Sequence, residues 1–383
     1  MTRRLALLAA FPFPLPQGSQ VYVAEQARAL ARAGADVTLL CYGHGLQDDE
    51  TLAALHEAGV RIRTAPAPLS RTPLRAGPSL RKLVADAALL GTLAAEARRE
   101  PFDTILAHNG EAACIALAAR PRLAARVVYV AHTLFENELC AYLPAGAARS
   151  ARAKRAIGTL GRRLDRFLAA RADAVITLTG AAAAALRPFA RGRVTHAPPA
   201  IDAAPAPPSA EVGAALARHG LTRGGFAVYA GNLDAYQDLA LLAGAAARLG
   251  RDEVAIVTHD PRRWPPPGPR VIRVASAAEA RCLLFGAALA VVPRRCVGGF
   301  PIKVLNYAEA GLAIVGFEGV LDEFTHGRDA WLLPTSAGAG ELAGAIRTLR
   351  GDPALAARLG EAARGLLGER FSWKSAIAAA LTR

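Results

Sequence analysis

The chain is organised around residues 298–311, which read Gly-Gly-Phe-Pro-Ile-Lys-Val-Leu-Asn-Tyr-Ala-Glu-Ala-Gly. Continuous apolar runs lie on both sides, over 287–293 and 312–317. Such runs are typical of strands in a parallel sheet that is covered on two faces. Pro301 suits the first position of a helix, and Gly311 suits its C-terminal cap. The sequence therefore predicts a strand, a loop, a helix and a second strand in succession.

Lys303 is the candidate functional residue of this stretch. A helix that begins at the carboxyl end of a parallel strand points its free N–H groups at the crevice where open α/β sheets bind ligands. Lys303 lies in the predicted first turn, and Asn306 follows three residues later on the same helix face. Only four of the 46 basic residues are lysines. We therefore predict an anion site here, the alternative being an ordinary surface lysine on a core helix.

The run Gly-Phe-Pro-Ile-Lys-x-x-Asn-Tyr-x-x-x-Gly is similar to the nucleotide-sugar loop and helix in the C-terminal domain of family 4 glycosyltransferases. Those are retaining enzymes of the two-domain GT-B fold. Most members carry two glutamates eight positions apart in this segment, and here the positions fall on Gly298 and Asn306. The resemblance implies that Asn306 contacts the ribose hydroxyls, whereas Gly298 has no side chain for the donor sugar. It also implies donor contacts from the neighbouring residues Gly299, Phe300, Pro301 and Ile302.

Size and composition indicate a two-domain globular protein. The 383 residues are 52% hydrophobic and 20% charged, with a mean hydropathy of +0.22, and they suffice for two domains with separate cores. No run reaches the roughly 18 to 20 apolar residues that cross a bilayer, which argues against an integral membrane protein. Residues 1–11 imitate a short signal peptide, but no small-residue cleavage site follows. We therefore expect the first strand there.

The cysteines and the net charge limit the kinds of partner. The five cysteines are scattered, without a Cys-x-x-Cys pair or a histidine at ligand spacing. This favours a reducing compartment and argues against a structural metal such as zinc. The net charge of +14 favours an anionic partner: a nucleotide, an anionic membrane or a nucleic acid. The alternative is that an Ala- and Arg-rich composition reflects coding bias, and no nucleic-acid-binding signature accompanies the charge.

A strand–helix–strand unit opens the chain. A Pro/Gly loop leads to a helix predicted over 21–33, and the next strand spans 36–41. The loop lacks the spaced glycines of a dinucleotide fingerprint, which argues against an NAD enzyme. Phosphate could still approach the backbone of Gly18 and Ser19 closely. The arrangement resembles the N-terminal glycine loop of family 4 glycosyltransferases, which faces donor phosphate and acceptor together.

Polar clusters follow two predicted strands of the N-terminal half. The strand 104–107 leads to His108, and the strand 127–130 leads to His132. Ligands bind at the carboxyl ends of parallel strands, so two histidines at equivalent ends favour function over the structural role that a lone histidine usually has. The resemblance implies that His132 is catalytic and lies beside the transferred sugar. The predicted acceptor-side contacts are His108, Glu111, Glu136 and Glu138.

The second domain is predicted to open with a strand over 226–230, followed by a turn. The turn resembles the one that in family members carries an arginine and a lysine for the diphosphate, but Asn232 and Gln237 occupy those positions. A helix terminus supplies only about 1 to 2 kcal/mol, whereas a micromolar ligand needs roughly 8 kcal/mol. We expect the missing charge to come from Lys303 with an arginine of the preceding loop, Arg294 or Arg295.

Two basic segments of the N-terminal half predict where the protein works. The range 152–168 is predicted as a basic amphipathic helix with an apolar stripe of Ile157, Leu160, Leu164 and Phe167. The range 69–83 is expected to be a mobile insertion, with cations at Arg71, Arg75, Arg81 and Lys82. Cations near an anionic surface contribute about 1 kcal/mol each. We therefore predict a cytoplasmic protein that attaches peripherally to the inner membrane face, with a soluble acceptor as the alternative.

Together these patterns predict an α/β protein of the GT-B class, with two Rossmann-like domains facing across a cleft. The predicted divisions are an acceptor-side domain over 1–200, a linker over 201–225, a nucleotide-sugar-binding domain over 226–365 and a C-terminal helix over 366–383 that returns to the first domain. The implied reaction is retaining, metal-independent and hexosyltransferase-like. It moves a sugar from a nucleotide diphosphate sugar to an acceptor hydroxyl on a glycan or lipid, without a cofactor or nucleic acid. The alternatives are a GT-B protein that binds nucleotide sugar without transfer and a basic nucleic-acid binder.

Overall fold

The computed structural model describes residues 2–14, 18–43, 49–66, 80–141, 150–250, 253–260, 268–296 and 298–381. The chain forms two compact units. The N-terminal unit consists of Met1–Pro199, Gly298–Phe300 and Trp373–Arg383, and the C-terminal unit consists of Ala200–Val297 and Pro301–Ser372. The short segment 298–300 and the end of the chain therefore belong with the N-terminal unit.

A seven-stranded parallel sheet forms the centre of the N-terminal unit. Its strands are β1 Arg4–Pro12, β2 Asp36–Tyr42, β3 Arg61–Ala65, β4 Thr104–His108, β5 Arg126–Ala131, β6 Ala174–Thr177 and β7 Arg193–His196. The spatial order is β3-β2-β1-β4-β5-β6-β7, so the winding direction reverses between β1 and β4. Ala9 pairs with His108 across this reversal. Ligands bind at the carboxyl ends of strands beside such a reversal.

Helices cover the sheet of the N-terminal unit. They are α1 Gly18–Arg32, α2 Asp49–Glu57, α3 Leu80–Arg99, α4 Asn109–Ala119, α5 Phe135–Ala141, α6 Ala151–Arg171 and α7 Gly180–Leu186. Leu8, Ile105 and Tyr129 of the sheet are fully buried in the core. The run that imitates a signal peptide is β1, as predicted, because every residue of that strand after Arg4 is buried. The helix predicted over 21–33 begins three residues earlier, at Gly18.

The C-terminal unit repeats the same winding with six parallel strands. They are β8 Ala227–Ala230, β9 Val254–Thr258, β10 Arg270–Arg273, β11 Leu289–Val291, β12 Ala313–Phe317 and β13 Trp331–Leu333, in the order β10-β9-β8-β11-β12-β13. The helices after residue 200 are α8 Ser209–Arg218, α9 Leu239–Ala246, α10 Ala277–Gly286, α11 Lys303–Glu309, α12 Ala339–Gly351, α13 Pro353–Glu369 and α14 Trp373–Leu381. Of these, α14 belongs to the N-terminal unit. The reversal here lies between β8 and β11.

The stretch predicted as a linker, 201–225, is not featureless. It contains α8, whose residues Val212, Ala215 and Leu216 are buried. A Cβ added at Gly286 of α10 would meet the Leu216 side chain at 2.7 Å, so α8 packs tightly against α10. The sequence before α8 is rich in proline, and for this reason the amphipathic pattern of the helix was not recognised.

The central stretch 298–311 forms the predicted loop and helix, with a shifted start. Helix α11 begins at Lys303 rather than at Pro301, which lies two residues before it. The first turn is tight, since the backbone N–H of Val304 donates to the Pro301 carbonyl at 2.9 Å. The predicted end is confirmed: Gly311 follows the helix with φ +68°, a conformation that glycine adopts without strain.

The basic helix predicted over 152–168 is confirmed as α6, but its apolar stripe does not face the core. The buried face consists of Gly158, Gly161, Asp165, Leu168 and Ala169. A Cβ at Gly161 would lie 2.5 Å from the backbone nitrogen of Glu136, so close contact with α5 sets this face. Leu160 and Phe167 are each 50% exposed instead.

The predicted insertion 69–83 lies mostly outside the described residues, including Arg71 and Arg75. Its last residues belong to α3, and Lys82 is buried there in an ion pair. Lys82 is therefore not a surface cation, which corrects its predicted role. Among the described residues, no helix is long and apolar enough to cross a bilayer. Within the same residues, no cluster of three or more His, Cys, Asp or Glu side chains could hold a metal ion.

Candidate functional site

Lys303 reaches the carboxyl end of β8 from the start of α11. Its Nζ donates to the Tyr229 hydroxyl at 2.9 Å and to the Gln237 Oε1 at 3.2 Å. It also lies 4.1 Å from the centre of the Tyr229 ring, a cation–π distance. Within the described residues it forms no ion pair with a carboxylate. Burial, with a smaller effect of the Arg294 charge, lowers the pKa of Lys303 to about 7.

The two positions that carry cations in the family form a neutral amide chain here. Asn232 Nδ2 donates to Asp234 at 2.7 Å, and Gln237 Nε2 donates to the Asn232 Oδ1 at 3.2 Å. Because the Gln237 carbonyl oxygen then accepts from Lys303, the chain runs from a carboxylate to the ammonium. The amides thus orient the cation instead of adding charge.

The backbone beside Lys303 requires glycine at position 231. A Cβ at Gly231 would lie 2.6 Å from the Lys303 Nζ, and this glycine has φ +149°. The Tyr229 hydroxyl donates to the Asn232 carbonyl at 2.7 Å, and the Tyr307 hydroxyl accepts from the Ala230 N–H at 2.8 Å. Two buried phenols therefore fix the turn after β8.

The two arginines predicted as alternatives have different surroundings. Arg294 lies 5.6 Å from the centre of the Tyr236 ring, and its charge is close enough to depress the pKa of Lys303. Arg295 pairs with Asp238 at 2.6 Å and donates to the Ala337 carbonyl at 3.4 Å. Of the two arginines, Arg294 is thus the one placed with Lys303.

The loop 298–300 explains one departure from the family pattern. A Cβ at Gly298 would lie 2.5 Å from the Asn137 Cβ, and φ is +125° there. A Cβ at Gly299 would collide with the Thr133 hydroxyl and lie 2.9 Å from the His132 carbonyl oxygen. Neither position can hold a glutamate in this arrangement. Phe300 and Pro301 are buried, Ile302 is half-buried, and Asn306 is exposed on α11.

Gly18 and Ser19 form the first turn of α1, where Gly18 is exposed and Ser19 half-buried. The preceding residues 15–17 lie outside the described part of the chain. The structure thus places both residues at a helix start after β1, as the sequence predicts.

His108 and His132 bond to each other in the N-terminal unit. The His108 Nδ1 and the His132 Nε2 lie 2.9 Å apart. His108 is completely buried and His132 is 5% exposed. Burial lowers the pKa of both, for His132 to about 3, so both imidazoles are neutral at pH 7. His108 is therefore not exposed to contact an acceptor, in contrast to its predicted role.

Aromatic rings enclose the imidazole pair. Tyr22 of α1 lies edge-on to both histidines, with ring centres 6.1 Å from His108 and 5.1 Å from His132. Trp373 of α14 stacks on Tyr22 at 5.8 Å. This enclosure excludes water, which is the physical reason that the imidazoles stay neutral.

Glu111 is held by Lys82. The Lys82 Nζ contacts the two carboxylate oxygens of Glu111 at 2.7 and 2.8 Å. Next to this pair, the Tyr42 hydroxyl donates to Asp86. Burial raises the pKa of Glu111, and the Lys82 charge opposes that shift. Glu111 thus faces a cation of its own unit.

Glu136 and Glu138 lie on α5 in different states. Glu136 pairs with Arg162, so its charge is compensated. The Glu138 carboxylate forms no hydrogen bond or ion pair with any described residue, and only its backbone N–H is paired, with the Leu134 carbonyl at 2.9 Å. Burial, followed by the negative charge of Glu111, raises its pKa to about 7. Asp165 of α6 accepts the N–H groups of Phe135 and Glu136 at 2.9 and 3.0 Å and thereby fixes the start of α5.

Sequence reasoning missed the supporting residues Tyr22, Lys82, Asp165, Tyr229 and Trp373. Each makes its contact with a residue distant in the chain, so local patterns carried little signal. Tyr229 alone had one, because a tyrosine that ends a buried strand needs a partner for its hydroxyl.

Comparisons with known proteins agree with this architecture. The glycosyl transferase 4-like domain matches residues 17–200. Sucrose-phosphate synthase from Thermosynechococcus elongatus is 19% identical, with a TM-score of 0.76 over 98% of this chain and 96% of its own. HepE from Anabaena in complex with UDP and glucose is 15% identical, with a TM-score of 0.72 over 97% and 96%.

WaaG, a glycosyltransferase involved in lipopolysaccharide biosynthesis, is 13% identical, with a TM-score of 0.67 over 99% of this chain and 100% of its own. No curated protein sequence gives a significant match. At these identities the solved structures establish the fold, and the domain match covers residues 17–200. These residues match the glycosyl transferase 4-like domain, and the chain has the GT-B fold.

Proposed function

We propose that this protein transfers a sugar, with retention of anomeric configuration, from a nucleoside diphosphate sugar to an acceptor hydroxyl. The observation that carries the proposal is Lys303. Its ammonium lies at the carboxyl end of β8, beside the reversal of strand order, with a phenol and an amide as partners. A cation without a carboxylate at such an edge suits a diphosphate.

The chemistry follows from charge placement. As the bond between the anomeric carbon and the diphosphate oxygen breaks, negative charge develops on the leaving group. Lys303 and Arg294 would stabilise that charge, and oriented groups of this kind typically supply about 3 kcal/mol or more. The acceptor oxygen bonds to the anomeric carbon while its proton passes to the departing diphosphate. This route uses no protein nucleophile and no metal ion.

Two findings support the donor class. Residues 17–200 match a glycosyl transferase domain, and the HepE structure of the same fold holds UDP and glucose. In this chain, Asn232 and Gln237 replace two cations, so binding depends on Lys303 more than in a site with three cations. Asn306, exposed on α11, remains the predicted contact to the ribose hydroxyls.

A second candidate function is binding of the nucleotide sugar without transfer. It is favoured by Gly298, which takes the position of a glutamate in the family pattern and has no side chain to contact the donor sugar. A side chain at this position would collide with Asn137. Consumption of donor in the presence of acceptor separates the two candidates.

The first experiment is a thermal-shift screen of UDP, GDP, ADP and CMP against wild type, Lys303→Met and Lys374→Met. Lys374 is exposed on α14 and is the matched control. We expect one diphosphate to raise the melting temperature of wild type and of Lys374→Met but not of Lys303→Met. The sugar form of that nucleotide is then incubated with candidate glycan and lipid acceptors. A shift of equal size in all three proteins would overturn the assignment of Lys303.

We also propose that α6 binds an anionic membrane. Its outward residues Leu160 and Phe167 are each 50% exposed. Phe189 is 39% exposed, and the centre of its ring lies 4.2 Å from the Arg166 guanidinium carbon. Exposed basic residues accompany them on the helix: Arg152, Lys154, Arg155, Arg163, Arg166 and Arg171. Apolar side chains among cations are the pattern of interfacial helices.

Vesicle co-sedimentation tests the membrane proposal. Wild type should bind vesicles that contain phosphatidylserine and dissociate as salt rises, because exposed charges are screened. Leu160→Ser with Phe167→Ser should weaken binding about tenfold or more. Equal recovery in the supernatant with anionic and neutral vesicles at low salt would point to a soluble acceptor.

A further inference from the structure

Glu309 is a buried carboxylate that the proposed donor site does not use. It is the last residue of α11 and is 9% exposed. Arg281 of α10 donates from its Nε to the Glu309 Oε2 at 3.1 Å and from its Nη2 to the Oε1 at 3.2 Å. The Ala204 N–H donates to the same Oε1 at 2.9 Å, and the Arg281 Nη2 also donates to the Ala204 carbonyl at 2.9 Å. The two side chains therefore hold each other and one residue of the backbone.

This ion pair runs against the local preference of the helix. The C-terminal end of a helix carries a partial negative charge, so an acidic side chain is unfavourable in the last turn. Burial of the charges adds a cost, and a buried ion pair is often no better for stability than two well-packed apolar side chains. What the pair supplies is a fixed geometry, because a guanidinium that bonds both oxygens of a carboxylate sets their distance and orientation.

The pair joins three parts of the C-terminal unit. Helices α10 and α11 contribute the two side chains, and Ala204 lies in the stretch 200–208, which forms neither a helix nor a strand. Side chains occupy both the N–H and the carbonyl of Ala204, so this stretch is fixed to both helices at one residue. Movement of α11 along its axis would break the three bonds that Glu309 accepts.

Lys303 lies at the other end of the same helix. Because α11 has seven residues, Lys303 and Glu309 are about 9 Å apart along the axis. A helix this short makes few internal hydrogen bonds, so contacts outside it decide where it lies. The Lys303 Nζ contacts Tyr229 and Gln237 at 2.9 and 3.2 Å. An axial shift of about 1 Å would take such contacts beyond hydrogen-bond length.

We propose that Glu309 is a positioning residue that fixes α11 along its axis and thereby places the Lys303 Nζ at the carboxyl end of β8. The proposal rests on the proposed function, in which Lys303 binds the diphosphate. Glu309 acts through the helix and does not contact the ligand. The Tyr307 hydroxyl, which accepts from the Ala230 N–H at 2.8 Å, holds the middle of α11, and the pair of Glu309 with Arg281 holds its end.

The test follows the Lys303 amine itself. The chain has only four lysines, so ¹³C-lysine-labelled protein gives a simple spectrum, and the Lys303 signal is the one that Lys303→Met lacks. Burial, followed by the Arg294 charge, lowers the pKa of Lys303 to about 7, and the Asp234 charge opposes this shift. Neither Glu309 nor Arg281 is among these charges. Their removal therefore changes the titration midpoint of Lys303 only if the amine moves.

Two variants separate position from stability. Glu309→Gln removes the charge and keeps the size. The double variant Glu309→Leu with Arg281→Met replaces the pair by apolar side chains and should keep the urea midpoint near that of wild type. In both we expect the Lys303 midpoint to rise by about one pH unit or more, because a displaced amine is less buried. An unchanged Lys303 midpoint in the folded double variant would overturn the proposal.

Calorimetry gives the second readout, with whichever of UDP, GDP and ADP stabilises wild type. At pH 6, where Lys303 is mostly protonated in every protein, both variants should bind this nucleotide about threefold or more weakly. Equal affinity in wild type and the double variant would contradict the positioning of Lys303. If wild type binds none of the three, the proposed donor function fails, while the titration still decides the role of Glu309.

Glu253→Leu with Arg350→Met is the matched control. These two residues form an ion pair of 2.9 Å in the same unit, outside α10 and α11. The Lys303 midpoint and the nucleotide affinity of this control should equal those of wild type. A shift of the same size in the control would show that loss of any ion pair loosens the unit, and would overturn a specific role of Glu309. If the double variant does not fold, Glu309→Gln carries the test.

Discussion

The two sheets share one winding order but carry opposite chemistry at their carboxyl ends. At the reversal in the C-terminal unit, the Lys303 amine is held by neutral partners. In the N-terminal unit, His108 and His132 are neutral, and the nearby cation Lys82 is already paired with Glu111. One edge therefore presents a lysine amine with neutral partners, and the other presents two neutral imidazoles. Topology sets where ligands bind, and the side chains set what binds.

The sharpest way to break this comparison is His132→Ala. Because this residue is predicted to contact the sugar and not the nucleotide, we expect kcat to fall about 100-fold, as for the loss of one oriented hydrogen-bond donor, while nucleotide affinity changes little. Steady-state kinetics with calorimetry of the free nucleotide measure both. A loss of nucleotide affinity with turnover retained would mean that the roles of the two edges are exchanged.

Removing the cation of the N-terminal unit should affect the fold and not the donor. Lys82→Met leaves the partly buried Glu111 carboxylate without its partner. We expect a loss of about 2 kcal/mol in the free energy of unfolding, below the full cost of a broken buried pair because Glu111 is 30% exposed. Urea unfolding measures it.

The control for Lys82→Met is Lys154→Met, since Lys154 is exposed on α6 and should change stability by less than about 0.5 kcal/mol. Adding Glu111→Gln to Lys82→Met should recover part of the loss. A Lys82→Met protein as stable as wild type would show that the pair is worth nothing to the fold.

In the C-terminal unit the same kind of change should affect the ligand. Lys303→Ala should weaken binding of nucleoside diphosphate more than tenfold, which corresponds to about 1.4 kcal/mol, with the melting temperature retained. Isothermal calorimetry is the measurement, and Lys374→Ala is the control. Unchanged affinity would show that Lys303 does not bind the diphosphate.

The smallest effect is a pH dependence with two opposite signs. The pKa of Lys303 is about 7 in the fold and about 10.4 in an unfolded chain. Above pH 7 the folded protein therefore binds fewer protons than the unfolded one, and the contribution of Lys303 to stability rises with pH. Diphosphate affinity should instead fall, because the ligand needs the ammonium. The protonated fraction drops from about one half at pH 7 to about 3% at pH 8.5, and if the neutral amine binds about tenfold more weakly, the affinity falls about fourfold.

Lys303→Arg stays charged and should flatten the affinity profile. Lys303→Met should remove the rise in stability, which is read as the difference between the two urea titrations at each pH. An affinity profile of wild type that matches that of Lys303→Arg would show that Lys303 is fully protonated in the free protein.

Much of the fold was predictable, because buried parallel strands such as β1 and β12 are continuous apolar runs that local sequence reveals. Helix α11 was predictable for the same reason, since it lies between two of them. The buried face of α6 was not predicted. Its hydrophobic stripe is real, but Gly158 and Gly161 permit the closer approach to α5, and apolar periodicity cannot weigh close packing against side-chain burial.

The candidate site was predictable in position and not in pairing. Strand ends placed His132 and Lys303 correctly at carboxyl edges. Whether His108 faces an acceptor or another imidazole depends on a side chain 24 residues away. The partner of Lys303 lies 74 residues away. Distances of this kind are set by tertiary packing, which a single sequence does not display.

The three-segment composition of the N-terminal unit has a consequence for how the protein folds. Arg3 donates to the carbonyl of Leu381, 378 residues along the chain, and Trp373 reaches Tyr22 in the same unit. Contacts between such distant residues form only after a large loop closes, and the entropy of closure must be met first. We therefore expect the stacking of Trp373 on Tyr22, beside the two histidines, to form late in folding. Partly folded chains would hold both sheets and still lack the contact between Trp373 and Tyr22 beside the two histidines.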